Sequence, residues 1–225
     1  DSSLTAEYQA NVFDVVQPDV VQIVQEQPEV AIPEVAINET NEGNFNTDAL
    51  SAISVEFGSY IDGEVLFKKD ADKKLPIASL AKLMTALVVF ENYDLDQQVT
   101  ISKETMAQIG EQGNLKEGEV LSVKGLLYMM LIDSSNRAAD AVSEVLGRES
   151  FISLMNAKAR ELGLENTHFQ DSTGLSSQTF STVEDLAILS KHLFLNYPLF
   201  NEIVGLKEYD LYMSDGSLHH RLINT

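Results

Sequence analysis

Apolar residues recur with period two between residues 51 and 70, and at helical spacing over most of the chain from Ser79 to residue 196. Ile53, Val55 and Phe57 alternate with polar neighbours, the pattern of a half-buried strand. Residues 63–70 form a second extended run, and the turn falls between Gly58 and Gly63, so the two runs predict a hairpin. At Ser79 the pattern changes. Leu80, Leu83, Met84, Leu87, Val88 and Phe90 leave little polar face, which predicts a buried helix starting there. A short extended piece is expected over residues 98–104. Residues 116–147 read as a turn, a helix, a polar break at Asp133-Ser134-Ser135-Asn136 and another helix. Residues 149–164 form an amphipathic helix with Gly163 as its C-cap. Residues 165–180 read as loop, and residues 181–196 as a helix opened by a capping box on Ser181 or Thr182.

Hairpin, buried helix, helical region and a short polar tail make an α+β chain: a helical cluster with an antiparallel sheet. Two strands alone are not a stable sheet. The second half of the pattern supplies almost no further strands, so the sheet is expected to be incomplete.

Residues 1–48 follow neither period. Short apolar pairs alternate irregularly with Pro, Gln and Glu, and three of the five prolines fall here. The first 50 residues hold 10 of the 35 acidic residues and no Lys or Arg. This segment is expected to be a flexible acidic spacer ahead of a folded domain over residues 49–225. A segment that adds to a sheet edge or binds a partner is the alternative. Asn38-Glu39-Thr40 matches a glycosylation acceptor, a triplet frequent by chance.

Net charge is −20, which argues against nucleic-acid binding. There is no cysteine, so no disulfide and no thiolate metal site can form; this composition is compatible with export. His168 and His192 lack ligand spacing and His219-His220 reads as surface, so no metal is expected. No apolar run reaches the ~18 residues that a membrane span needs. The start at Asp1 rather than Met leads to the expectation that a signal peptide or anchor was removed, leaving any membrane tether outside this chain.

The chemistry concentrates at Ser79 and Lys82. Three residues apart on a helix, their side chains share a face. Burial of the lysine disfavours its ammonium, and a neutral amine can take a proton from a serine hydroxyl. On spacing alone, a helix cap with a snorkelling lysine is the commoner arrangement. The apolar residues after Lys82 favour the activated nucleophile. Ser134-Ser135-Asn136 is the best candidate to complete the site. A second hydroxyl can relay a proton, and an asparagine can hold the lysine and a substrate amide. Ser134 or Ser135 can equally cap the next helix.

With both triplets in place, the chain resembles the serine D-alanyl-D-alanine carboxypeptidases. These are low-molecular-weight penicillin-binding proteins of the transpeptidase/β-lactamase superfamily, whose signature is S-x-x-K, S-x-N and K-T-G. Residues 63–87, 126–147 and 162–194 look like successive blocks of that family. The resemblance implies Ser79 as nucleophile, Lys82 as its base, and Ser134 and Asn136 in the S-x-N roles. It implies a β-lactamase/transpeptidase-like fold, cleavage of peptidoglycan stem peptides ending in D-Ala-D-Ala, β-lactams as covalent inhibitors and no cofactor. It also implies an extracytoplasmic bacterial location and a role in the cell wall. D,D-endopeptidase or β-lactamase activity is the related alternative, Glu165 being the only hint of the latter. A non-catalytic peptidoglycan-binding or assembly fragment is the alternative of a different class.

Two departures stand out. Arg137 comes directly after the S-x-N motif where members often carry an acid, and is read as facing solvent. K-T-G is absent from the 225 residues, which leads to the expectation of a truncated, inactive member.

Overall fold

The computed structural model describes residues 51–59, 64–109, 113–213 and 215–224. The chain divides between Phe45 and Asn46, and every described residue belongs to the second unit. The spacer expected over residues 1–48, with Asn38-Glu39-Thr40, lies outside the described residues, as does the middle of the first turn.

The predicted hairpin forms: β1 (Val55–Gly58) and β2 (Val65–Lys69) pair antiparallel. Lys68 ties it down, its Nζ lying 2.5 Å from Glu184 Oε1 and 3.6 Å from Glu56 Oε2. Among the described residues no third strand joins it, and Phe57 and Leu66 remain more than half exposed. β3 (Leu75–Pro76) pairs with β6 (Phe180–Ser181). A 3-10 turn over Ala78–Leu80 then leads into α1 (Ala81–Asn92). The α-helix thus starts two residues later than the pattern predicts. Ala78 adopts φ +47°, so the chain enters through a tighter turn and Ser79 sits on that turn.

α1 is the buried helix the pattern demands. Ala81, Met84, Ala86, Leu87, Val88 and Val89 are at most 1% exposed. It packs against α3 (Val123–Ile132), α4 (Asn136–Val145), α5 (Arg148–Glu161) and α6 (Val183–Asn196). β4 (Gln98–Thr100) pairs with β5 (Val120–Ser122). The extended reading of residues 98–104 holds only to Thr100. Ser102 Oγ accepts the Thr105 N–H at 3.0 Å and caps the short α2 (Lys103–Met106). Thr182 caps α6, accepting the Asp185 N–H at 3.1 Å.

The tail departs most from the expected pattern. After α7 (Pro198–Gly205), β7 (Glu208–Tyr212) and β8 (Leu218–Ile223) form a second hairpin in place of the expected polar tail. Charge hid the alternation. Arg221 pairs with Asp210 and Glu208, while Leu211 and Leu222 turn inward at 3% and 0% exposure and pack with α3. The observed sheets are four antiparallel pairs among the described residues.

A partly buried ionic network fixes α4. Arg148 donates to Asp140 Oδ1 and Oδ2 at 2.9 and 2.6 Å, and Thr105 Oγ1 donates to Asp140 Oδ2 at 2.8 Å. Asp140 is 4% exposed, so the paired guanidinium is what makes its charge tolerable there. The network joins α2, α4 and the start of α5, and α4 begins with Asn136.

Candidate active site

Ser79 is exposed while Lys82, three residues on, is 3% exposed. The turn that presents the hydroxyl is held open by an unusual contact. Gly174 has φ +83°, and a Cβ there would collide with the Ala78 carbonyl oxygen. The backbone at Gly174 therefore lies flat against the residue before Ser79. No other residue type fits both the dihedral and the space.

Lys82 Nζ meets three oxygens: Ser79 Oγ at 3.0 Å, Asn136 Oδ1 at 2.8 Å and the Thr173 carbonyl at 3.1 Å. The amide and carbonyl oxygens can only accept, so Lys82 donates to both. An ammonium uses its third hydrogen on Ser79. A neutral amine keeps the same two bonds and turns its lone pair to the hydroxyl. Burial disfavours the ammonium and lowers the Lys82 pKa to about 8, with Asp171 opposing the shift. At pH 7 about a tenth of the molecules then carry a neutral amine.

Asp171 organises the loop that delivers the Thr173 carbonyl. Its Oδ1 accepts from the Thr173 and Gly174 N–H groups at 3.2 and 2.5 Å, and its Oδ2 from the Ser176 N–H at 2.6 Å. Thr85 on α1 donates to the Ser172 carbonyl at 2.7 Å. The loop is thus bound to α1 one turn after Lys82. The sequence marks residues 165–180 only as loop, and gives no direct sign that a backbone carbonyl here is a partner of the amine. The D-x-x-G spacing, an acid that caps its own loop beside a glycine, was the available signal.

Asn136 Nδ2 donates to the Ile109 carbonyl at 3.0 Å, which aims Oδ1 at Lys82. The cap of α4 is Ser135, fully buried, whose Oγ accepts the Ala138 N–H at 3.2 Å. Ser134 is left out of capping. It is partly exposed and carries φ +57°, a strained value for serine. No hydrogen bond from Ser134 to Ser79 or Lys82 is formed. The structure thus brings Ser79 and Asn136 each into contact with Lys82 and leaves Ser134 on the turn beside Asn136.

Arg137 does not simply face solvent, since its Nε is enclosed without a hydrogen-bond partner. Glu165 is exposed in the turn after α5, and no described contact links it to Lys82 or Ser79. Among the described residues no group of three or more His, Asp or Glu is arranged to hold a metal. No described helix is long and apolar enough to cross a membrane.

The sequence profile of the peptidase S11 family, D-alanyl-D-alanine carboxypeptidase, matches residues 37–225. D-alanyl-D-alanine carboxypeptidase DacF of Bacillus subtilis is 35% identical over 169 residues, covering 72% of this chain and 42% of that protein. A D-alanyl-D-alanine endopeptidase of Pseudomonas aeruginosa is 38% identical over 131 residues, covering 56% of this chain and 42% of the relative. The crystal structure of the Streptomyces K15 DD-transpeptidase superimposes with a TM-score of 0.71 at 30% identity, over 78% of this chain and 74% of the other. The chain spans less than half the length of these two curated relatives. The fold is that of the penicillin-binding transpeptidases, as the sequence resemblance implies.

Proposed function

The chain belongs to the D-alanyl-D-alanine carboxypeptidase family, peptidase S11, and from that premise we propose that Ser79 and Lys82 are its nucleophile and general base. The observation that carries this reading is the buried Lys82 amine, held by two obligate acceptors with its remaining valence on Ser79 Oγ. The substrate class is peptidoglycan stem peptides ending in D-Ala-D-Ala, met on the outer side of a bacterial membrane. Residues 49–225 are read as part of the catalytic domain, with residues 1–48 as a spacer ahead of it.

Neutral Lys82 accepts the Ser79 proton as Oγ attacks the carbonyl carbon of the penultimate D-Ala. The tetrahedral intermediate collapses with cleavage of the C–N bond. The departing D-Ala amine takes a proton through Ser134, supplied by the Lys82 ammonium. Asn136 keeps Lys82 in place and offers its amide to the substrate backbone. Water then attacks the acyl-enzyme, Lys82 takes its proton, and Ser79 is released. A β-lactam enters the same first step and stays attached.

No K-T-G triplet occurs in the 225 residues. In the family that strand supplies the binding pair for the substrate carboxylate and one oxyanion-hole N–H. Loss of one such donor alone typically lowers kcat by ~10²–10³. The chain of 225 residues is accordingly expected to be a very poor carboxypeptidase. Endopeptidase action on cross-links is the second reading, favoured by the name of the Pseudomonas aeruginosa relative.

A fluorescent penicillin tests the proposal. Labelling of a C-terminally extended chain that carries K-T-G, lost on Ser79→Ala, supports it, and labelling that survives Ser79→Ala refutes it. Rapid release of D-Ala from a diacetyl-Lys-D-Ala-D-Ala peptide by the 225-residue chain would overturn the expected weakness.

A further inference from the structure

Asp133 closes α3 and immediately precedes Ser134. A carboxylate at a helix C-terminus faces the negative end of the helix dipole, so this placement is unfavourable unless the group is bound from elsewhere. β8 binds it. The Ile223 N–H donates to Asp133 Oδ1 at 2.8 Å, and His220 Nε2 lies 3.5 Å from Asp133 Oδ2. The series continues outward. His220 Nδ1 lies 2.5 Å from His219 Nδ1, and His219 Nε2 lies 3.3 Å from Glu119 Oε2. None of these four side chains is more than 17% exposed.

Both ends of the pair meet a carboxylate, and the closer contact, His219 Nε2 to Glu119 at 3.3 Å against His220 Nε2 to Asp133 at 3.5 Å, fixes the hydrogens. A carboxylate only accepts, so His219 Nε2 carries hydrogen toward Glu119. With both imidazoles neutral, His219 Nδ1 is then an acceptor, and His220 Nδ1 must donate to it. His220 Nε2 is left as a bare lone pair facing Asp133. Consistent with this, it is enclosed and makes no hydrogen bond. One added proton turns that mismatch into an N–H⁺···O⁻ pair and leaves the other contacts as they are.

We propose that Asp133 is a positioning residue for Ser134, and that the His219–His220 pair governs how firmly β8 holds Asp133 as pH changes. Only the catalytic consequence rests on the reading of Ser134 as a proton carrier. The groups facing His220 are Asp133 at the end of α3, Glu119 before β5 and His219 on its own strand. The acids of β7, Glu208 and Asp210, are bound by Arg221, and Tyr128 on α3 by Glu202. Burial and the neighbouring His219 push the His220 pKa below its usual 6.5. The proton therefore arrives on the acid side, and the hold on the Ser134 turn tightens as pH falls below 6.5.

The test is an NMR titration of the 225-residue chain from pH 8 to 5, following imidazole carbons and the Ser134 amide. The expected result is a His220 midpoint below 6.5, with the Ser134 amide shift moving at the same midpoint. In Asp133→Asn the His220 midpoint falls further and the Ser134 shift no longer tracks it, while Asp133→Glu restores the coupling in part. A Ser134 shift that stays flat through the wild-type imidazole titration overturns the proposal, and so does a His220 midpoint unmoved by Asp133→Asn. The wild-type titration decides by itself if a variant does not fold. The readout needs no catalysis, so a failure of penicillin labelling bears on the acyl-transfer reading and not on this one.

Discussion

Lys82 is surrounded by two groups that can only accept and one that can do either. That asymmetry lets one geometry serve both protonation states. Asn136 is the sensitive partner, because its side-chain identity sets the charge beside the amine. Asn136→Asp would place a carboxylate about where Oδ1 now sits, favour the ammonium and raise the Lys82 pKa. Penicillin acylation measured at pH 7 on a K-T-G-bearing chain should fall about tenfold per unit of that shift, and recover at higher pH. Asn136→Ala removes both the Lys82 bond and the Ile109 bond, so its loss should not recover with pH. At this scale the sequence was informative where side chains form the proposed site. Ser79, Lys82 and Asn136 stood out by type and spacing. The Thr173 carbonyl did not, since every residue has one. As caps, Ser134 and Ser135 were indistinguishable until the backbone showed Ser135 capping α4.

Elements place these residues through a few close approaches. The loop over residues 171–176 leans on the turn before α1 at Gly174 and Ala78. Gly174→Ala adds a methyl where there is no room and a strained dihedral besides. It should lower the unfolding free energy by about 2–4 kcal/mol, read from urea melts. Penicillin acylation on a K-T-G-bearing chain should drop with it, because the same shift moves the Thr173 carbonyl away from Lys82. The long apolar helices were legible because their periodicity is strong. β7 and β8 were not, because alternate positions carry Glu, Asp, His and Arg that read as a solvated tail. Their strand character rests on inward Leu211 and Leu222 and on ion pairs between strands, which only the register reveals. Ser102 converted the end of an expected extended piece into α2 by the same kind of local bond.

At the scale of the molecule, α1 is buried among α3, α4, α5 and α6, while the first hairpin is covered on little of its apolar surface. Its order and the three family blocks were readable from 225 residues because the blocks are long and sequential. The pairing of strands far apart in sequence, such as β3 with β6, was not, since two-residue strands carry no period. Appending the family's K-T-G strand and the strands after it should raise penicillin acylation by ~10² or more. It should also raise the melting temperature, as Phe57 and Leu66 lose their exposure. An extended chain that folds with no gain in acylation would show that K-T-G is not what limits the site.

Burial should hold Lys82 ready to take the Ser79 proton, and a titration of Lys82 Nζ by heteronuclear NMR tests this without requiring turnover. The expected midpoint is near 8, well below the ordinary 10.5. Because the folded value lies below the unfolded one, unfolding free energy should gain a contribution from Lys82 as pH rises through that window. A midpoint at or above 10.5 would overturn this role, since Lys82 would then be a permanent cation and Ser79 would have no base beside it.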